Sequence, residues 1–309
     1  MKKIGLSTFV FQSLYGNKEA LRLAKDAGAD AVDFDLAGMD YRNENSPYAK
    51  SEEEFVEYFS SLKKYAKSIG IEICQTHGRL PGFKNEKEHD EAFVKNARLD
   101  CKATALLGAP VCVVHAVTTM NHMEASDEFM HELNFSQFAQ ILPFAKEFNV
   151  KIATETFGDV HGGAKCEFFG NNDEFIKNYK LTKERLPEYA DYFTVCMDTG
   201  HTNKATKFNN NPKPPQAIRD IGSDVTVLHL NDNTTENDQH MIPFVNKKVW
   251  KISGTIDWDD TFDALDEIGY NGVYNMELSL DRYGDEVSFE TARLAVATLR
   301  NFISKRYGK

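Results

Sequence analysis

One stretch of the chain, residues 225–258, carries several side chains that can bind a metal ion or move a proton. It opens with alternating β-branched and apolar residues, which predict a strand, and then turns polar at once. His229 therefore lies at the carboxyl end of that strand, and Asp238 and His240 follow in a long polar loop. Imidazole and carboxylate groups placed in this way can serve as metal ligands or as acid and base catalysts.

Similar groups stand at the ends of five other predicted strands. The full set at strand ends is His77, His115, Glu155, Asp198, His201, His229 and Glu277. If the strands are neighbours in a barrel, their carboxyl ends meet around one volume. A buried cluster of carboxylates and imidazoles is unfavourable unless its members are paired, hydrogen-bonded or bound to a cation.

Four of these residues predict a metal site. Glu155, Asp198, His229 and Glu277 come from four consecutive predicted strands and form a mixed oxygen and nitrogen donor set. Taken singly, each has an ordinary structural interpretation, such as a hydrogen-bonded histidine, so the prediction depends on the whole set. Three carboxylates with one imidazole favour one Mn²⁺, Mg²⁺ or Co²⁺ ion over a structural zinc site, and Zn²⁺ is an alternative.

The elements that must position these residues alternate along the whole chain. Strands are predicted at residues 3–11, 31–36, 71–77, 111–117, 151–157, 192–198, 225–231 and 273–278. Helices are predicted at residues 18–27, 52–69, 88–107, 135–148, 173–189, 217–221, 261–268 and 289–304. Eight strand-then-helix units predict an α/β fold, a single (β/α)₈ TIM barrel over residues 1–309.

Connection lengths predict which end of the barrel carries the site. Helix-to-strand connections are short and often contain glycine, whereas strand-to-helix connections are long. The long ones are residues 38–51, 78–87, 118–127, 158–172, 202–216 and 232–257. They lie at the carboxyl ends of the strands, where barrel enzymes hold their catalytic groups.

Composition limits the class of protein and its partners. No apolar run approaches the roughly 20 residues of a membrane span, so no membrane partner is expected. The net charge of −11 argues against a surface that neutralises phosphates, and hence against nucleic acid. Five widely spaced cysteines without a CxxC pair predict reduced thiols in a cytoplasmic protein. The composition is compatible both with a monomer and with a homo-oligomer.

The ordered motifs resemble the xylose-isomerase-like barrel superfamily, and within it the sugar phosphate isomerase/epimerase branch that includes the ketose 3-epimerases. The motifs are Thr154-Glu155, Met197-Asp198-Thr199-Gly200-His201, residues 228–233, Asp238-Gln239-His240, residues 254–258 and Met276-Glu277-Leu278. The resemblance covers essentially the whole chain. The epimerases usually have an arginine where this chain has His240, and this departure argues against a phosphorylated substrate.

The resemblance implies a divalent-metal-dependent isomerase or epimerase that acts on a small-molecule keto-sugar or sugar derivative. Glu155 and Glu277 would be metal ligands and also the two acid/base catalysts, moving a proton through a metal-stabilised enediolate. Two carboxylates are needed because a base on one face alone would restore the original configuration. The residues expected to contact the substrate are His77, His115, His201, Asp238 and His240.

Three other functions share these residues. Elimination or hydrolysis of a 3-keto-glycoside would use the same metal and base. Endonuclease-IV-type repair enzymes in the superfamily hold three zinc ions and hydrolyse phosphodiesters, and all nine residues named above have counterparts there. The acidic net charge and the absence of basic runs argue against that activity. A sugar-binding or metal-binding barrel without turnover would not need a base on each face of its ligand.

Overall fold

Eight parallel strands form the centre of the computed structural model, which describes residues 2–160, 163–208, 210–244 and 254–308. They are β1 (Ile4–Ser7), β2 (Ala31–Asp35), β3 (Glu72–His77), β4 (Val111–Val114), β5 (Lys151–Glu155), β6 (Phe193–Asp198), β7 (Val225–His229) and β8 (Tyr274–Met276). Each of β1 to β6 pairs with the next strand along the chain, and β1 also pairs with β8. A parallel bridge between Leu230 and Met276 brings β7 to β8, so the sheet curves round as the predicted barrel.

Helices surround this sheet. They are α1 (Phe9–Tyr15), α2 (Asn17–Asp26), α3 (Glu52–Ile69), α4 (Lys87–Leu107), α5 (Asp127–Phe148), α6 (Asn172–Arg185), α7 (Thr199–Ala205), α8 (Pro214–Ile221), α9 (Trp258–Glu267) and α10 (Ser288–Tyr307). Among the described residues, no helix combines the length and the apolar character that crossing a bilayer requires. The predicted alternation of strands and helices is confirmed.

Helix α3 shows how local sequence sets an element. Ser51 caps it by accepting a hydrogen bond from the Glu54 amide, while the Glu54 side chain accepts one from the Ser51 amide. Gly70 ends the helix with φ +70°, a left-handed conformation that favours glycine. Its buried residues repeat at intervals of three and four: Phe55, Phe59, Leu62 and Ala66. The predicted bounds, 52–69, agree with those observed.

Several predicted segments are wrong in part. The helix predicted at 135–148, for example, begins at Asp127 as α5. The strand predicted at 3–11 ends at Ser7, and residues Phe9–Tyr15 form α1 instead. Tertiary packing explains this difference, because the helix buries Val10 and Phe11 in the core. The residue before the helix is also held in place, since the Thr8 amide donates a hydrogen bond to the Asp33 carbonyl at 3.0 Å. Residues 202–216, predicted as a loop, begin inside α7, which starts directly after β6. Other predicted strands overrun the observed ones by one to three residues at an end.

The barrel interior has an apolar floor below its polar mouth. Side chains of a strand alternate in direction, so the residues two positions before Glu155 and His229 also point inward. These and their register neighbours form one small apolar cluster: Val111, Val113, Ala153, Cys196 and Val227. All five cysteines are buried and unpaired. The floor excludes water from the underside of the polar groups.

A buried ion pair fixes the connection that follows β3. Arg79 lies two residues after His77, and its guanidinium donates to both oxygens of Asp100, at 2.7 and 3.0 Å. The hydroxyl of Tyr48 donates to Asp100 Oδ1 at 2.6 Å. The carbonyl of Arg79 accepts from the His115 amide at 3.3 Å, so the ion pair holds the backbone next to two predicted site histidines.

We expect Asp100→Asn to lower the free energy of unfolding by about 3–5 kcal/mol, because it leaves the guanidinium of Arg79 buried without its counter-charge. Urea denaturation measures the change. The matched control is Glu147→Gln, which neutralises the partner of exposed Arg98 and should change the free energy of unfolding by at most about 1 kcal/mol. Equal losses in the two variants would contradict the structural role of the buried pair.

Candidate active site

The four predicted metal ligands converge at the carboxyl-terminal mouth of the barrel. Glu155, Asp198 and His229 are the last residues of β5, β6 and β7, and Glu277 directly follows β8. One donor atom from each residue lies within 4.8 Å of the other three, and all four residues are buried. Donor atoms this close can share one divalent ion.

One oxygen of Glu155 is buried against imidazole nitrogens but makes no hydrogen bond among the described residues. Glu155 is 1% exposed, and its Oε1 lies 2.9 Å from Nδ1 of His229. Its Oε2 is buried without a hydrogen-bond partner among the described residues, although Nε2 of His115 lies 2.9 Å away outside hydrogen-bonding geometry. An unsatisfied buried carboxylate oxygen is unfavourable, and a cation removes that penalty. The donor set therefore fits a bound divalent ion.

His229 is held by carboxylates on both sides of its ring. Nδ1 faces Glu155 and also lies 3.3 Å from Oε2 of Glu277. Nε2 lies 2.9 Å from Oδ2 of Asp33, a fully buried residue of β2. A carboxylate at the far nitrogen of a histidine fixes the tautomer and aims the near nitrogen at a metal. Asp33 thus belongs to the site, although sequence reasoning missed it.

We expect Asp33→Asn to weaken Mn²⁺ binding by about 10–100-fold, since the amide cannot orient His229 as the carboxylate does. Isothermal titration calorimetry gives the affinity independently of any activity. Asp30→Asn is the matched control, because Asp30 directly precedes the same strand at its other end and contacts the partly buried Arg300, away from His229. If the two variants bind Mn²⁺ equally well, Asp33 has no role in orienting the donor.

A second group of donors lies beside the first. Oδ2 of Asp238 is 3.3 Å from Nε2 of His201 and 3.3 Å from Nε2 of His240. Donor atoms of these three residues lie within 4.8 Å of one another. On its other side, Nδ1 of His201 lies 3.4 Å from Oε1 of Glu155, which connects the two groups. His201 occupies the first turn of α7, where Asp198 caps the helix by accepting from its amide at 2.6 Å.

His77 and His115 complete the cluster from β3 and β4. Their Nε2 atoms are 3.3 Å apart, and Nε2 of His77 lies 3.5 Å from Oε2 of Glu155 and 3.8 Å from Oε1 of Glu277. The ring of His77 stacks on that of His229, with centroids 5.3 Å apart. The structure therefore brings all nine sequence-predicted residues to one mouth.

The charges in the cluster shift one another's pKa values. Burial alone would lower the pKa of His77, but the carboxylates of Glu155 and Glu277 outweigh it and raise the pKa to about 9. Burial raises the pKa of Glu155, yet the imidazoles of His229 and His115 outweigh burial and hold that pKa well below its usual range. Burial also raises the pKa of Glu277, but the nearby imidazoles, above all that of His229, outweigh burial and lower this pKa. Ionised carboxylates balanced by imidazolium groups therefore line the mouth.

A cavity of about 390 Å³ opens above the cluster. Its lining consists of His77, His115, His201, Asp238, His240, Glu277, Phe9, Asp35, Ala37 and Leu80. The volume is at the lower end of the range for small-molecule sites. Within the part of the chain that the structure describes, the lining contains no lysine or arginine. The cavity thus has the size and the polar lining that a small polar molecule requires.

Comparison with known proteins agrees with this architecture. Residues 21–302 match the family model described as a xylose isomerase-like TIM barrel, and the chain belongs to that family.

Solved structures share the fold over nearly the whole chain. A D-tagatose 3-epimerase-like protein superposes with a TM-score of 0.69 at 18% identity, covering 98% of this chain and 99% of that one. An L-ribulose 3-epimerase gives a TM-score of 0.68 at 16% identity over 99% and 95% of the two chains. The IOLI protein with a bound zinc atom gives 0.69 at 16% identity over 99% and 100%. At these identities the likeness establishes the fold alone.

Curated relatives match by sequence over shorter stretches. Uncharacterized protein y4fM of Sinorhizobium fredii is 26% identical over 200 residues, which is 64% of this chain and 55% of that protein. Uncharacterized protein MJ1311 of Methanocaldococcus jannaschii is 26% identical over 150 residues, 47% of this chain and 42% of that protein. The matches span about half the length of these relatives.

Proposed function

We propose that the protein is a divalent-metal-dependent isomerase or epimerase that moves a proton on a keto-sugar or a related sugar derivative. One observation carries the proposal: Glu155, Asp198, His229 and Glu277 converge within 4.8 Å beneath a cavity of monosaccharide size. The family supports the same class of reaction, and two proteins of similar fold are a ketose 3-epimerase and a 3-epimerase-like protein.

The four converging residues would hold the ion. A divalent ion bound there would polarise a carbonyl and a neighbouring hydroxyl of the substrate, which acidifies the hydrogen on the adjoining carbon. Asp33 would keep Nδ1 of His229 directed at this position through its contact with Nε2. The unsatisfied Oε2 of Glu155 supports the presence of a cation.

Glu155 and Glu277 would exchange protons with the substrate. They extend from β5 and from the end of β8, so their carboxylates enter the mouth from different sides of the barrel. Imidazole neighbours outweigh burial and keep the pKa of both below the usual range, so both are ionised at neutral pH. One carboxylate can then remove the carbon-bound proton. The other, after taking up a proton from a neighbouring imidazolium such as that of His77, can return this proton to the opposite face.

The remaining predicted residues would recognise the substrate's oxygens. His77, His201 and His240 have pKa values raised by nearby carboxylates despite their burial, so their rings can donate hydrogen bonds to hydroxyl groups. Asp238 can accept from a hydroxyl, and His115 completes the rim. Because the described lining lacks a lysine or arginine, we favour a sugar without a phosphate group.

A second candidate is phosphodiester hydrolysis with three metal ions. The observation in its favour is that His201, Asp238 and His240 form a donor group separate from the first four ligands. A third group adds His77 to Glu155 and His229, which it shares with the first four. Adjacent metal ions can activate water and stabilise a leaving oxygen. The net charge of −11 weighs against a nucleic-acid substrate.

Counting bound ions distinguishes the two candidates. The protein is purified without added metal, incubated separately with Mn²⁺, Co²⁺ or Zn²⁺, freed of excess ion and analysed for metal content per chain. One tightly held ion supports the isomerase or epimerase. Three zinc ions would favour hydrolysis, and no retained ion under any of the three conditions would contradict both candidates.

A further inference from the structure

A second cavity adjoins the one above the candidate metal site. It has a volume of about 340 Å³ and lies between α1 and the connection that follows β2. Phe9 and Asp35 line both cavities, so the two spaces meet at these side chains. A single monosaccharide needs only the first cavity, which leaves the second without a role in the proposed function.

The lining of the second cavity is polar and, apart from Asp35, uncharged. Its hydrogen-bonding side chains are Gln12, Ser13, Asn17, Asn43, Asn45 and Ser46. Amide and hydroxyl groups both donate and accept hydrogen bonds, which matches the mixed requirements of sugar hydroxyls. The ring of Phe9 adds an apolar surface of the kind on which the C–H face of a sugar can pack. This lining suits a neutral polyol.

Internal hydrogen bonds give the cavity a fixed shape. The Gln12 side chain accepts from the Asp35 amide at 2.9 Å and donates to the Asp35 carbonyl at 3.0 Å and to Oδ1 of Asn17 at 2.7 Å. Gln12 therefore clamps the residue at which the two cavities meet. On the opposite wall, buried Ser46 accepts from the amides of Asp40 and Tyr48.

Other groups in the lining keep hydrogen-bonding capacity. Among the described residues, the hydroxyl of Ser13 and the side chain of Asn45 make no hydrogen bond, and Asn43 uses only its Oδ1, which accepts from the Asn45 amide at 3.0 Å. Asp35 accepts from the Ala37 amide through Oδ1, which leaves Oδ2 for a ligand. A fixed frame with unused donors and acceptors is the arrangement that a polar ligand requires.

We propose that the second cavity is a subsite for an additional sugar unit. The substrate is then a glycosylated keto-sugar, such as a disaccharide, with its reacting unit above the metal ligands and its second unit against Asn43, Asn45 and Ser13. Asp35 lies where the two units join. This inference rests on the proposed function and names the substrate class for the same site.

The test compares two kinds of probe that carry the same keto-sugar unit. D-fructose is the free probe, and the glucosyl-fructose disaccharides maltulose and isomaltulose are the glycosylated ones. With Mn²⁺ present, solvent deuterium uptake gives kcat/KM for each. We expect at least one disaccharide to exceed D-fructose by about tenfold or more, since binding of the second unit contributes to transition-state stabilisation.

Ser13→Trp fills the second cavity from an exposed position on α1. We expect it to reduce kcat/KM for the preferred disaccharide by about tenfold or more and to change that for D-fructose by less than about twofold. The matched control is Ser60→Trp, an exposed serine on α3 that lines neither cavity and should alter neither value.

The outcomes separate the two proposals. If D-fructose exchanges but no disaccharide is preferred, or if Ser13→Trp affects both kinds of probe equally, the subsite is wrong and the proposed function stands. If none of the three probes exchanges deuterium, the proposed function fails on these keto-sugars and the subsite proposal fails with it. Preference for a disaccharide that disappears in Ser13→Trp alone is the expected result.

Discussion

Replacing Glu155 or Glu277 by glutamine is expected to abolish epimerisation while leaving the barrel folded. Glutamine has nearly the same shape as glutamate but cannot take a proton from carbon, and removal of a general base typically lowers rates by about 10²–10⁴-fold. Both side chains stand at strand ends above the apolar floor, so the change opens no core cavity. Steady-state kinetics at saturating Mn²⁺ measures the loss, and circular dichroism checks the fold.

The two variants should also differ in the face of the substrate on which they still exchange a proton. Each retains one carboxylate, which can still exchange a proton on the face that it reaches. We therefore expect each variant to incorporate solvent deuterium into one epimer of the substrate without converting it to the other. Glu236→Gln, an exposed change in the loop after β7, is the control and should retain full activity. Normal epimerisation by either site variant would contradict the roles proposed for the two glutamates.

Removing the metal is expected to have an effect of similar size. Several kcal/mol of transition-state stabilisation come from a metal that polarises a carbonyl, so dialysis against a chelator should lower turnover by about 10³-fold or more. Adding Mn²⁺, Mg²⁺ or Co²⁺ back should restore it, because the four ligands are held by strands that exist without the ion. Turnover is followed on the preferred keto-sugar before dialysis, after dialysis and after each addition.

A variant in which one metal ligand loses its charge complements the metal-removal experiment. Asp198→Asn keeps the cap of α7, since its amide oxygen can still accept from the His201 amide, but it removes a charged ligand. We expect this variant to need a higher Mn²⁺ concentration for half-maximal turnover than the parent protein. Activity that survives complete removal of metal would show that proton transfer does not depend on the ion.

Much of the fold is predictable from the sequence because its local signals agree with the tertiary structure. In α3, the capping box, the apolar spacing and the terminal Gly70 all specify the same helix, and its bounds are correct. In the segment after β1, local and tertiary preferences conflict. The apolar run at Phe9 to Phe11 has strand-like composition, yet helical packing buries Val10 and Phe11, and the prediction is wrong there.

The candidate site was predictable to the extent that its residues follow strands. Glu155, His229 and Glu277 stand where a strand becomes a loop, and a polar residue at that point is conspicuous. Asp33 lies inside β2 between Val32 and Phe34, and its inward direction follows from alternation only once the strand is known. Its contact with His229 joins strands distant in sequence, at 196 residues apart, so no local pattern reveals it.

The separation of the donor atoms likewise depends on the closed barrel. The sequence places the ligands on successive strands. That the donor atoms of each group lie within 4.8 Å of one another, however, results from strand tilt and side-chain packing. The adjoining cavity at Asp35 depends on how α1 meets the connection after β2, and the sequence predicts the first residues of α1 as part of a strand. These features require tertiary contacts that composition and periodicity do not contain.

The most direct test of the central claim is solvent deuterium uptake at a carbon-bound position of a keto-sugar, followed by proton NMR with Mn²⁺-loaded protein in ²H₂O. The account predicts loss of one C–H signal beside the carbonyl, together with the appearance of an epimer or isomer. It also predicts no such loss with the double variant that carries both Glu155→Gln and Glu277→Gln. Complete retention of every C–H signal across a panel of free and glycosylated keto-sugars would contradict the claim that this barrel moves a proton on a keto-sugar.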